Sequence, residues 1–149
     1  MPTTVETLDL ADARQLIAHA EAKAAELGVP SNIAVADAGG NLTAFARMDG
    51  AWLGSIDIAI NKAFTARAFD MSTEDLSKMA QSGKPLFGID STNRSKVVIF
   101  GGGVPIKQGE TVIGAIGSSG GTVDQDIEIA EAAVEAFTGK KQKASLFGG

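Results

Sequence analysis

No cysteine occurs anywhere in the 149 residues. That excludes disulfides, thiolate metal sites, iron–sulfur ligation and cysteine nucleophiles. Histidine is nearly as scarce, because His19 stands alone. A zinc site would have to rely mostly on carboxylates, and a Ser-His-Asp arrangement would have one possible base. Positive charge is neither in excess nor clustered: 13 Lys and Arg face 18 Asp and Glu, for a net charge of −5. Without a basic track along the chain, nucleic acid is not an expected partner. No apolar run approaches the length of a membrane span, so no membrane partner is expected either. The opening MPTTVETLDL has no basic n-region and no apolar h-region, and no signal peptide is predicted. The expectation is a cytoplasmic protein.

What the chain does have is ordinary for a soluble globular protein, with 44% hydrophobic and 21% charged residues. Its length suits one domain over residues 1–149, with a core from about 8 to 137 and a tail from 138. The most unusual stretch is FGGGVPIKQGETVIGAIGSSGGT, Phe100 to Thr122. Val97 to Phe100 reads as a short strand, Val104 to Ile106 as a second, and Thr111 to Ser118 as a third. Gln108-Gly109-Glu110 supplies the hairpin turn between the last two. Glycine within a strand marks a bulge or the close approach of a backbone or ligand, which makes Gly102 and Gly103 candidate ligand-contacting positions. A phosphate loop is the weaker reading. No G-x-x-x-x-G-K-[ST] is present, and Asp124 and Asp126 open the following helix, where they suit its dipole and repel a phosphate.

Helical spacing predicts a first helix over Thr7 to Leu27, with Asp9 as its N-cap and Gly28 with Pro30 as its end. His19 falls roughly 120° from the centre of its apolar stripe and faces solvent or another subunit. Ile33 to Asp37 and Leu42 to Arg47 are strands joined by Ala38-Gly39-Gly40-Asn41, a hairpin signal. Asp37 either accepts backbone hydrogen bonds in that turn or acts in a site. The loop from Arg47 to Trp52 sets Arg47 beside Asp49, as a bracing pair or as an anion-binding arginine. A second helix, Ser55 to Phe69, is apolar on two sides, with Ile56, Ala59, Ile60 and Ala63 on one and Ile58, Ala66 and Phe69 on the other. That pattern calls for a second covering surface, most simply another copy of the chain. Arg67 lies near the first face and needs a partner, while Lys62 can extend its head outward along its stem. Ser72 caps a short third helix to about Ala80, a polar connection spans Gln81 to Lys96, and a last helix covers Thr122 to Phe137. The order implies an α/β (α+β) fold with a five-stranded antiparallel sheet and helices on its faces.

Several separate motifs, in order, resemble the GlcG/HbpS-like haem-binding family, related to the C-terminal domain of PduO-type cobalamin adenosyltransferases. They are Asp37-Ala38-Gly39-Gly40, Phe45 to Ala51 (FARMDGA), Ala59-Ile60-Asn61-Lys62-Ala63, Gly101 to Ile106 (GGGVPI) and Gly114 to Gly121 (GAIGSSGG). The resemblance spans Leu8 to Phe137. It implies a profilin-like three-layer α/β/α fold and a homo-oligomer, often an octamer. Many members of that family carry histidine where this chain has Asn41. Two functions follow as expectations. In the first, haem is bound with His19 as the iron ligand and Arg47, Lys62 or Arg67 on the propionates. In the second, a cofactor-free lyase or isomerase acts on a small, possibly aromatic carboxylate at a subunit interface. Arg47 or Arg67 would hold that substrate, and Asp37, Asp49 or Lys62 would move protons.

Overall fold

The computed structural model of the chain describes residues 1–139. Its first helix, α1, runs Leu10–Leu27. Asp9 caps it by accepting from the Asp12 amide at 2.8 Å, and Asp12 returns the bond to the Asp9 amide, so two otherwise orphaned donors are satisfied. Gly28 closes the helix in the left-handed conformation. Strands β1 (Asn32–Asp37) and β2 (Leu42–Arg47) form the first hairpin, and α2 (Ser55–Phe69) and α3 (Thr73–Met79) follow. After two short 3-10 turns come β3 (Gly103–Gln108), β4 (Thr111–Ser119) and α4 (Val123–Thr138). Thr122 caps α4 with a reciprocal bond from Gln125. Thr138, read as the start of a tail, is the last residue of α4, with Gly139 as its cap; the rest of the expected tail, residues 140–149, lies outside the described residues.

Among the described residues the sheet has four strands in the order β2-β1-β4-β3, all antiparallel. Five were expected. The missing strand is Val97 to Phe100, and the reason lies in its hydrogen bonds. The Val98 amide donates to the Thr65 hydroxyl of α2 at 3.0 Å, and no strand pairs with this segment. It is a connector pinned to a helix rather than a ladder member.

Alternation along β1 separates two layers. Ile33 and Val35 point into a large core with Leu16, Ala20 and Ala24 of α1 and Ile129, Ala133 and Val134 of α4. Ala34 and Ala36 point the other way, against Ala59 and Ala63 of α2. Helices therefore cover both faces, with α1 and α4 on one and α2 on the other. Burying each of the large aliphatic side chains contributes roughly 1.5–3 kcal/mol, and most of them belong to the α1/α4 side. The α2 side is built from small residues. Ala34, Gly117 and Gly103 lie in register across β1, β4 and β3, making a low row on which the α2 backbone rests.

Near the α3 end, Glu131 of α4 is held above the usual carboxylate range, first by burial and then by Glu74, Glu135 and Asp75. An acid whose folded pKa is raised favours folding below its unfolded value and loses that contribution as pH rises through the folded one. Glu131→Gln is therefore expected to raise the melting temperature at pH 7, by an amount equivalent to under about 1 kcal/mol, and to lose the advantage below about pH 4.5. Thermal melts across that range would show it; an equal benefit at pH 4 and pH 7 would refute the cause.

Candidate functional site

The residues singled out in the sequence fall into four places. Lys62 is the first and the most changed. Its expected outward reach is overturned: Lys62 is fully buried at the centre of the stripe Ala59, Lys62, Ala63, Ala66 that faces the sheet. Size misled the reading of α2. The bulky Ile56, Ile60 and Phe64 sit at the flanks, because only alanines fit over the Ala34–Gly117–Gly103 row. The ammonium passes the sheet where glycine leaves room and meets Asp126 of α4 at 3.1 Å and the Ser118 carbonyl at 2.8 Å. The Phe100 ring lies 5.0 Å away, a further favourable contact for a cation. Asp126 also accepts from the Gly120 and Gly121 amides at 3.1 and 3.0 Å. Burial pushes the lysine down and the carboxyl up, and each partner opposes the shift of the other. With the two hydrogen bonds of the ammonium and the three of the carboxylate directed at each other or at backbone, the pair is an ion pair linking the two helical layers.

Gly102 and Gly103 belong to the same place. A Cβ at Gly102 would come within 2.6 Å of both the Lys62 ammonium and the Ser118 carbonyl. At Gly103 it would come within 2.8 Å of Thr73 and press on the Lys62 carbonyl. Close approach is real at both positions, and the approaching groups are the chain's own.

The second place is the first hairpin. Asp37 accepts from the Gly39 and Asn41 amides at 2.9 and 3.0 Å, the turn-bracing role. Arg67 donates to the Ala38 carbonyl and to Asp70, at 2.6 and 2.7 Å, and so ties α2 to the hairpin. Between hairpin and helix lies a cleft of about 230 Å³ lined by Ala36, Asn41, Leu42, Ile60, Asn61, Phe64 and Lys96, with Gly40 at the turn. Lys96, Asn61 and Phe64 were not singled out as candidates. Nothing in the spacing links Lys96 to the hairpin, which it reaches only because Thr65 anchors its segment: the Thr65 hydroxyl lies 3.3 Å from the Lys96 carbonyl.

The third place is the loop after β2. Arg47 does not pair with Asp49; its Nε and Nη2 both donate to the Ala51 carbonyl, at 3.3 and 3.0 Å. Asp49 is exposed. The fourth is α1, where His19 is partly exposed beside an outward row of Ala11, Ala18, Ala22 and Ala25. Its imidazole makes no hydrogen bond or ion pair among the described residues.

These places do not converge. His19 lies on the α1/α4 side of the sheet and Arg67 on the α2 side, so one ligand cannot meet both within a protomer. Of the residues expected to move protons, Asp37 is held by the hairpin amides, Lys62 by Asp126 and Ser118, and Asp49 is exposed in the loop after β2. Among the described residues there is no group of three or more His, Asp and Glu placed to hold a metal ion, and no helix is long and apolar enough to cross a membrane.

Comparison with known proteins gives one consistent answer. Residues 8–135 match the family described as haem degrading protein, HbpS-like. A 15.0 kDa protein from the dhaT–dhaS intergenic region of Citrobacter freundii is 43% identical over 134 residues, covering 90% of this chain and 94% of that one. The corrinoid adenosyltransferase PduO of Salmonella typhimurium is 40% identical over 135 residues, 91% of this chain but 40% of the PduO length. A solved PduOC:haem complex superposes with a TM-score of 0.84 at 40% identity, covering 87% of this chain and 94% of that one.

Proposed function

The chain belongs to the HbpS-like family, and from that premise we propose that it binds haem, with His19 as the iron ligand. The observation that carries the reading is the similarity to the PduOC:haem complex over nearly the whole fold. The state of His19 agrees with it. A partly exposed imidazole without a protein partner can offer a ring nitrogen to iron. The exposed face beside it carries Ala11, Ala18, Ala22 and Ala25 around Gln15, a low surface that suits the face of a macrocycle. Bound haem would supply an iron centre open to axial ligation and redox change.

The three cations expected on the propionates all have partners within the chain, Arg47 on the Ala51 carbonyl. Lys62 is committed to Asp126, and Arg67 to Asp70 and Ala38. The cation that α1 offers on its own exposed side is Arg14. Among softer ligands, Met48 packs against the core, and Asn41 in the hairpin offers a carboxamide where an imidazole would be needed. Assembly into a homo-oligomer, an octamer by resemblance, belongs to the same proposal. Trp52, Leu53, Phe87 and Phe100 are exposed, with Ile58 and Phe69 partly so, apolar side chains that a second copy of the chain would cover.

Haemin titration with native mass spectrometry of the product tests both parts. The expected result is a sharp Soret band at stoichiometric haem and a multimer that retains it. His19→Ala should shift or abolish the band while leaving the multimer intact. An unchanged band in the variant would remove His19 as the ligand, and a wild type that takes up no haemin would remove the function.

A further inference from the structure

We infer that the cleft between the β1–β2 hairpin and α2 is a second ligand site, which takes a small organic acid with its carboxylate on Lys96 and an apolar or aromatic body along Phe64 and Ile60. The inference is independent of the haem reading, because this cleft and His19 lie on opposite faces of the sheet. Its size already separates the two: about 230 Å³ is below the roughly 300–1,000 Å³ of pockets that enclose drug-sized ligands. A tetrapyrrole does not fit, and a metabolite-sized acid does.

The lining has the composition such a ligand needs, apolar walls with a few placed polar groups. Ala36, Leu42, Ile60 and Phe64 supply the walls, and the carboxamides of Asn41 and Asn61 with the ammonium of Lys96 supply the polar groups. Lys96 stands over the Phe64 ring, 5.2 Å from its centre, and makes no ion pair among the described residues. It is a cation already directed at an aromatic wall and lacking an anion. Two carboxylates lie nearby and both are engaged: Asp57 accepts from Asn61 at 3.2 Å, and Asp37 accepts two hairpin amides. Asp57 holds one Asn61 amide hydrogen and leaves the other free.

The walls are also fixed before any ligand arrives. Asp37 holds the hairpin turn. The nearly fully buried Thr65 lies with its hydroxyl 2.7 Å from the Asn61 carbonyl and 3.3 Å from that of Lys96, and accepts from the Val98 amide. One side chain thus ties the chain from Lys96 to Val98 onto α2. A site whose parts are already ordered loses less entropy when a ligand binds.

Isothermal titration of the intact protein with benzoate, hexanoate and the neutral isostere benzamide tests this. Benzoate or hexanoate should bind at millimolar concentrations or below. Benzamide should bind at least about tenfold more weakly, since a hydrogen bond to a charged group is worth roughly a factor of ten or more. Lys96→Met should weaken benzoate binding by a similar factor and Lys96→Arg should restore most of it, while His19→Ala should leave it within about twofold, the two sites sharing no residue. Three results would overturn the inference: no heat from either acid at about 10 mM, roughly tenfold above a millimolar dissociation constant; equal binding of benzamide; or unchanged benzoate affinity in Lys96→Met.

Discussion

Lys62→Met is expected to destabilise the fold by about 3–5 kcal/mol at neutral pH, because it breaks a buried pair and leaves the other charge uncompensated. The stranded group is Asp126, still held by the Gly120 and Gly121 amides but without its counter-ion. Burial already raises its pKa and Lys62 opposes that shift, so removing the lysine raises it further. The folded variant then favours the protonated acid. Its deficit should shrink as pH falls toward the unfolded carboxyl value near 3.8. Lys62→Met combined with Asp126→Leu should recover part of the loss, since two apolar groups can replace a buried pair at little net cost. Recovery should be incomplete, because the two glycine amides lose their acceptor. Denaturant melts at pH 4 and pH 7 supply all three comparisons. A loss under about 1 kcal/mol in the single variant would show that the pair is not the bolt between layers described above.

Gly117→Ala should be nearly as damaging. The added methyl would lie 2.7 Å from the Ala63 amide nitrogen and closer still to the Ala59 carbonyl oxygen. These are backbone atoms of a helix that cannot rotate aside, so α2 has to lift from the sheet. Overpacking typically costs about 1–3 kcal/mol and sometimes more, and a clash with helix backbone belongs at the upper end. Lifting α2 would also lengthen the path from Lys62 to Asp126, so amide exchange along α2 should quicken as stability falls. Gly54→Ala is the matched control: nothing lies within 4 Å of a Cβ there, and the change should stay within about 0.5 kcal/mol. Equal melting of the two variants would contradict the close packing of α2 on the row Ala34–Gly117–Gly103.

Local signals were legible in the sequence wherever the determinant was itself local. The caps at Asp9 and Ser72, the glycine that ends α1, and the two hairpins each depend on a few adjacent residues and stand where spacing puts them. The fifth strand failed because Val97 to Phe100 has strand composition, while its amide partner is a threonine 33 residues away. The faces of α2 failed for a related reason. Apolar bulk usually marks the buried side of a helix, but here the sheet presents glycine and alanine, so small residues and one lysine turn inward. Asp126 was legible as a helix-start acid and not as the partner of Lys62, because that pairing needs the chain to bring α2 and α4 to the same gap in the sheet. Family resemblance reached further than spacing did, since the haem reading proposed above rests on it; it could not show that His19 and Arg67 stand on opposite faces.

The placement of haem is the claim on which the functional account turns, and hydrogen–deuterium exchange of the assembled protein with and without haemin reads it directly. Slower exchange is predicted in α1 peptides around His19, with peptides from α2 that carry Lys62 and Arg67 unchanged. Protection confined to α2 and the first hairpin, with α1 unaffected, would contradict it.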